Sequence, residues 1–357
     1  MAKRLTSIFI VIPFIANILG CATVTGPSVS REEIEKTREE LKVKALAYQI
    51  KQLQRLHNIG NRLMLAVPKE ETKKPIQPFL GIVCLKIDKY LEQIYNLNVK
   101  KGVVIVVVRE KSPAYNIGLQ PGDVLVAMNK IKINNVNDIT RAASKFKIDD
   151  PVQIEVIRDN QTMTFETNIG QIPINLPIMM VDSQEVNAAT DGKSIFITYG
   201  LINFAKSDDE IAAVLGHELA HAVRGHVAKA QGGQILAFLA ALALGIAVER
   251  SSPGSGEAAM RGTGQIGDIF NASYSRDLER EADYFGTKFV YYAGYDVDTC
   301  VTVEERFAIE IPATMIQHYL STHPTSPERV TRIRKIIEEL KANKPVSLDI
   351  KQEQQTK

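Results

Sequence analysis

The pentapeptide His217-Glu218-Leu219-Ala220-His221 constrains this chain more than any other feature, because of the helix in which it falls. Ser207 with Glu210 three residues later forms a capping box, and Ile211, Leu215 and Leu219 continue an apolar stripe at helical spacing. Two histidines four positions apart then leave one helical face and can bind a single Zn²⁺. Glu218 sits beside them, placed to take a proton from a water on that metal, whose pKa zinc lowers to about 7. The competing reading is a helix with two surface histidines, and the downstream sequence argues against it.

A catalytic zinc needs a third protein ligand and an open fourth position. The run Ser275-Arg276-Asp277-Leu278-Glu279-Arg280-Glu281-Ala282-Asp283 begins a second helix that ends near Gly294. Glu279 and Asp283 are four apart, so both can face the first helix. Glu279 would ligate, and Asp283 would orient a ligand histidine by accepting its other N–H. Glu281 is a rival ligand, although its offset from Asp283 turns it to a different face.

At 357 residues the chain has room for about two folded units. An apolar fraction of 45% and a charged fraction of 24% are ordinary for a globular protein. Formal charge is only +2, with basic residues spread along the chain, so no nucleic-acid partner is expected. The amino terminus reads as a targeting segment: Lys3 and Arg4, then an apolar stretch from Ile8 to Leu19 too short to span a bilayer. Ile18-Leu19-Gly20-Cys21 resembles the lipobox of bacterial lipoproteins, which implies acylation of Cys21. Ala22 follows, in place of the acidic residue that commonly retains lipoproteins at the inner membrane. The expected location is therefore the bacterial cell envelope, lipid-anchored, facing the periplasm, on the outer membrane. Cys84 and Cys300 are expected as two unpaired buried thiols.

The rest divides by pattern. Residues 1–20 are the signal peptide, 21–29 a tether, and 30–70 a helical arm opened by a Ser30/Glu33 capping box, with a break expected at Asn58–Gly60. Residues 76–172 carry strand patterns. Val103 to Val108 form a continuous apolar run, as in a strand buried on both faces, and Asp159-Asn160 turns a hairpin. Residues 173–345 hold strand-like segments at Pro177–Val181 and Ile195–Tyr199 and then long helices, and 346–357 are a polar tail. The fold class is α+β: a helical arm, a β-domain, and a mostly helical domain with a small sheet.

Two resemblances follow. Ser112-Pro113-Ala114, then Gly118-Leu119-Gln120-Pro121-Gly122-Asp123-Val124-Leu125 and Met128-Asn129, resemble bacterial PDZ domains. That likeness implies a helix within Asn134–Phe146 and a peptide-binding loop, Phe79-Leu80-Gly81-Ile82, whose amides hold a terminal carboxylate. Residues 173–341 resemble the HtpX-like, CaaX prenyl-protease-type zinc metalloendopeptidases. The likeness rests on Val181-Asp182-Ser183, Asn187-Ala188, Gly200-Leu201, His217–His221 with His226, Ser275-Arg276 with Glu279 and Ala282-Asp283, and Thr322-His323-Pro324 with Arg329. It implies one Zn²⁺ per chain on His217, His221 and Glu279, with Asp283 behind them and His323 on a loop that approaches the metal. His323 then has two incompatible uses, as a fourth ligand that holds the enzyme latent or as a donor to the reacting oxyanion.

His226 lies off the zinc face of its helix and reads as structural, His57 belongs to the arm, and His318 reads as packed or solvated. The apolar segment 235–248 reads as a buried core helix, with a membrane-touching hairpin as the alternative, and the glycine-rich stretch 251–269 as a cover for the cleft or a surface excursion. The expected activity is zinc-dependent endoproteolysis of misfolded or misassembled envelope proteins, with polypeptide substrates recruited by the PDZ unit. The alternative is a PDZ-bearing chaperone or assembly factor whose zinc site is structural or latent. The sequence leaves the oligomeric state open.

Overall fold

A computed structural model describes residues 26–72, 75–99, 101–229, 274–311, 323 and 326–342. Cys21 and the signal segment, the apolar stretch 235–248, the stretch 251–269, His318 and the tail 346–357 lie outside the described residues. The chain divides into two compact units, Met1–Lys42 and Val43–Lys357.

Helix α1 spans Arg31–Ala66. Its capping box forms in full: Ser30 N–H donates to Glu33 Oε2 at 2.8 Å, and Glu33 N–H donates to Ser30 Oγ at 3.2 Å. The break expected at Asn58–Gly60 does not occur. A β-carbon on Gly60 would lie 2.1 Å from Ile178 Cδ1, so this glycine serves a close approach inside the helix rather than ending it.

The β-domain is an antiparallel sheet in the order β2 (Ile82–Lys86), β3 (Val103–Val108), β4 (Val124–Met128), β6 (Pro151–Arg158), β7 (Gln161–Asn168), with β5 (Ile131–Lys132) paired to β4. Every residue of β3 is buried. Ile105 joins Leu125 and Ile154 on one face, while Val104 and Val106 meet Leu91 and, from α1, Ile50 on the other. Two packed faces account for a run with no polar alternation. Asp159 and Asn160, with φ of 50° and 61°, close β6 onto β7 in the left-handed conformation that tight hairpins favour. The short helices are α2 (Lys89–Tyr95), α3 (Pro113–Asn116) and α4 (Val136–Ala143), and α4 packs beside β2 at the sheet edge. Strands β1 (Gln77–Phe79) and β8 (Gly170–Ile172) pair at the exit of this domain.

Beyond it, β9 (Ile178–Val181), β10 (Ala188–Thr190) and β11 (Ile195–Thr198) form a small mixed sheet in the order β10-β11-β9. Helices α5 (Tyr199–Phe204), α6 (Asp208–Arg224), α7 (His226–Lys229), α8 (Arg276–Tyr292), α9 (Thr299–Glu310) and α10 (Pro327–Lys341) follow. Leu215, Leu219, Phe289, Phe307 and Ile333 share one core with Leu56, Ile59 and Leu63 of α1. Helix α1 thus contributes to both cores. Its Gln54 carboxamide donates to Val108 O (2.9 Å) and accepts from Val108 N–H (3.0 Å), occupying the end of β3 as a neighbouring strand would. On its other side Arg55 pairs with Asp208 at 2.6 Å and Arg62 donates to Gly294 O at 2.6 Å. The architecture is α+β. Among the described residues no helix is long and apolar enough to cross a membrane.

Candidate active site

Two helices meet where both carry glycine. A β-carbon on Gly216 would lie 2.8 Å from Val290 Cγ2, and one on Gly286 would lie 2.9 Å from His217 Cα. Helices α6 and α8 therefore approach backbone to backbone at the level of the first histidine. Ser207 caps α6 by accepting Glu210 N–H at 3.2 Å. The reciprocal half of that expected box is absent, because Glu210 accepts Lys206 N–H instead (2.8 Å) and pairs with Arg306. Gly225, with φ of 68°, ends α6 in the left-handed region and turns the chain back to His226.

The close crossing brings the predicted ligands together. His217 Nε2 lies 3.1 Å from His221 Nε2 and 3.4 Å from Glu279 Oε2, and His221 Nε2 lies 3.3 Å from Glu279 Oε1. His323 joins them, its Nδ1 being 2.9 Å from Glu279 Oε1 and 3.2 Å from His217 Nε2. One donor atom from each of these four buried residues lies within 4.8 Å of every other. Imidazole nitrogens with a carboxylate oxygen are a donor set suited to Zn²⁺.

Glu218 points into the same space. Both of its oxygens are buried without a hydrogen-bond partner among the described residues, with His323 Nε2 3.4 Å from Oε1. A buried carboxylate that accepts no hydrogen bond is costly unless a cation or a reacting group completes it. Burial raises the Glu218 carboxyl above its ordinary value and presses His221 well below its own. For Glu279 burial acts upward, but His323 and His217 hold it well below the usual range. On His217 burial and Arg329 act downward and are outweighed by hydrogen bonds to Asp283 and Glu279, leaving it at about 10.

Behind the donors, Asp283 Oδ1 lies 3.1 Å from His217 Nδ1. Arg329 Nε donates to both oxygens of Asp283 (2.9 and 3.0 Å), and Nη2 lies 3.2 Å from Glu304 Oε1. Burial pushes Glu304 up as well. Three features escaped the sequence reading. Tyr274 stacks on the His221 ring with centroids 3.9 Å apart. His226 is not remote from the histidine pair: its Nδ1 lies 2.9 Å from His221 Nδ1. Glu281, the rival ligand, lies outside the donor group and meets His226 Nε2 at 3.1 Å. The signal for His226 was the glycine between the two helices, since a left-handed turn there breaks the helical-wheel count.

In the β-domain the loop Phe79-Leu80-Gly81-Ile82 links β1 to β2. Gly81 has φ of 90°, and a β-carbon on it would lie 2.1 Å from Ser112 Cβ. The loop's carbonyls are tied back: Leu80 O accepts Ala114 N–H (3.1 Å) and Gly81 O accepts Arg109 N–H (2.8 Å). The N–H groups of Leu80 and Gly81 have no acceptor among the described residues. Among the described residues strand β2 ends the sheet, with its outer edge unpaired. Cys84 and Cys300 are both free thiols, Cys300 buried and Cys84 half-buried.

Residues 78–169 match the PDZ domain family and residues 159–337 match peptidase family M48. Metalloprotease YcaL of Escherichia coli is 32% identical over 171 residues, covering 47% of this chain and 63% of that protein. Mitochondrial metalloendopeptidase OMA1 of Arabidopsis thaliana is 33% identical over 158 residues, covering 44% of this chain and 30% of that one. The beta-barrel assembly-enhancing protease of Escherichia coli is 24% identical over 193 residues, covering 52% and 39% respectively. The chain spans less than two thirds of the length of each of these relatives. The second family match takes in half of the chain, and the paired-histidine helix, the glutamate helix and His323 all fall inside it: this chain belongs to peptidase family M48.

Proposed function

We propose that this protein is a zinc-dependent endopeptidase that hydrolyses peptide bonds in misfolded or misassembled cell-envelope proteins. One Zn²⁺ per chain would be held by His217, His221 and Glu279. The observation that carries this reading is Glu218, a buried carboxylate with no hydrogen-bond partner among the described residues, facing a cluster of metal-ligating atoms. A purely structural metal site has no use for such a base. When bound, zinc supplies Lewis-acid polarisation of the scissile carbonyl and lowers the pKa of water. Glu218 accepts the proton of the attacking water and returns it to the leaving amine, and a carboxyl raised by burial is better matched to that exchange near neutral pH. Asp283 holds His217 by accepting its Nδ1–H, with Arg329 fixing Asp283 in turn.

His323 favours a resting form that is latent. Its Nδ1 stands among the donor atoms, so it can complete the coordination and exclude water. Swung away, it can donate to the oxyanion, and loss of one such donor typically costs roughly 10²–10³ in turnover. His323→Ala should raise basal proteolysis if latency dominates and lower it if oxyanion support does. Unchanged turnover and zinc affinity would remove both roles. The chaperone reading shares this latent geometry and differs only in lacking turnover.

The PDZ unit would capture chain ends or extended segments at Phe79-Leu80-Gly81-Ile82 and along β2, raising their concentration near the site. A lipid on Cys21 would hold the protein at the outer membrane, facing the periplasm. Acyl labelling and membrane fractionation that survive Cys21→Ser would overturn the anchor. The deciding experiment for the activity is digestion of unfolded casein by the purified full chain, with and without a chelator. Chelator-sensitive cleavage restored by Zn²⁺ is expected. Zinc-loaded protein that leaves casein intact, with His323 present or replaced by Ala, would return the chain to the chaperone reading.

A further inference from the structure

His221 Nε2 faces Glu279 and His217, so a metal taken by this ring is taken through Nε2. A neutral imidazole bound in that way carries its proton on Nδ1. That nitrogen is 2.9 Å from Nδ1 of His226, and two nitrogens so close share a single proton between them. If His221 donates it, His226 Nδ1 must accept, and the proton of His226 is then confined to Nε2. Nε2 in turn lies 3.1 Å from Glu281 Oε2. The direction of every bond follows from the first: His221 Nδ1–H to His226 Nδ1, and His226 Nε2–H to Glu281.

We propose that His226 is a positioning residue for the zinc-binding ring of His221, itself held in one tautomer by Glu281. The two histidine ligands thereby receive different supports. His217 has a carboxylate directly behind it at Asp283, whereas the Nδ1 side of His221 meets the imidazole of His226, with the Glu281 carboxylate beyond it. Tyr274 lies flat against His221 with ring centroids 3.9 Å apart, which fixes the plane of the ring but not its rotation within that plane. The bond to His226 supplies that rotation. His226 and His221 are both fully buried, so water does not compete for the bond. Glu281 is anchored at its other oxygen by Arg224 Nε at 2.6 Å, and Arg224 also meets Glu71 at 3.2 Å.

The inference rests on the zinc site proposed above, and its test separates the two. The zinc dissociation constant is measured by chelator competition on the metal-free full chain, with the melting temperature of the metal-free form as the folding control. His226→Leu removes the acceptor and should weaken zinc roughly 10–100-fold, the usual cost of losing an outer partner of a ligand. His226→Asn places an amide oxygen near where Nδ1 stood and should recover most of that loss. Glu281→Leu should weaken zinc in the wild-type background and add nothing to His226→Leu, since both act through one ring. The visible spectrum of the Co²⁺-loaded protein should shift in His226→Leu and return towards wild type in His226→Asn. Should His226→Leu fail to fold, His226→Asn and Glu281→Leu carry the same comparison. Wild-type affinity in His226→Leu, or additive losses in the double variant, would overturn the relay and leave the zinc site standing. A wild-type chain that binds no Zn²⁺ would remove both.

Discussion

A methyl group on Gly286 would sit 2.9 Å from the α-carbon of His217 and 3.0 Å from its backbone nitrogen. The atoms in the way are main chain, so α8 must move as a body to admit it. Gly286→Ala gains about 1 kcal/mol of helix propensity but overpacks a backbone crossing, which costs roughly 1–3 kcal/mol. The second effect should win. We expect a lower melting temperature together with weaker zinc binding, because moving α8 withdraws Glu279 from the histidines. Calorimetry and chelator competition on the same variant check both, and a stabilised variant with unchanged zinc affinity would refute the argument.

Glu218→Gln should keep its zinc and lose hydrolysis, since Glu218 is not among the four grouped donors. Loss of a general base typically lowers turnover by about 10²–10⁴. Elemental analysis beside casein cleavage separates metal from chemistry. A variant that loses its zinc would move Glu218 into the ligand set.

His57 gives a pH signature away from the metal. Burial, and then the charge of Arg109, press its imidazole down to about 3, so it stays neutral in the folded protein. The unfolded chain takes up that proton below its ordinary pKa of about 6.5. Its contribution to stability is therefore complete above pH 6.5 and falls with decreasing pH by about 1.4 kcal/mol per unit. Urea denaturation from pH 7 to pH 5 should show a shallower fall in His57→Gln than in wild type. Parallel curves would mean that His57 is protonated inside the fold.

The loop at Phe79–Ile82 offers two N–H groups with no acceptor among the described residues, and β2 offers an open edge. A short apolar peptide with a free carboxyl terminus should slow casein cleavage, whereas its amidated twin should compete at least tenfold less well. Bonds to a charged acceptor are worth about 1.5–3 kcal/mol, enough for that ratio. Hydrolysis of a short peptide substrate should be insensitive to both. Equal competition by the two peptides would argue against capture of the carboxylate.

What could be read from the sequence was whatever depends on neighbours in the chain. The cap at Ser207, the histidine spacing in α6, the hairpin at Asp159-Asn160 and the unbroken apolar run of β3 each declare themselves within a few residues. What could not be read depends on partners far along the chain. Gly60 looks like a helix terminator until Ile178 is found against it. Strand β10 is three residues long and exists through its pairing with β11. The placing of Tyr274 on His221 and of Glu281 on His226 is set by how α6 and α8 cross, which no local periodicity encodes. Helical face separates Glu281 from Glu279 but gives only the direction in which Glu281 does not point.

If the PDZ unit captures chain ends as proposed, the double attachment of α1 would make it a fixed measure of length. Gln54 grips the end of β3 beside the loop that would hold a substrate's terminus, and eight residues on, Arg62 grips the chain just past the end of α8. The path between them is folded protein with a set length. A chain end captured at one station would then meet the other only after a constant number of its own residues, so fragments carrying the captured terminus should cluster at one size. Severing the grip of Gln54 should broaden that size into a ladder without changing which termini are chosen.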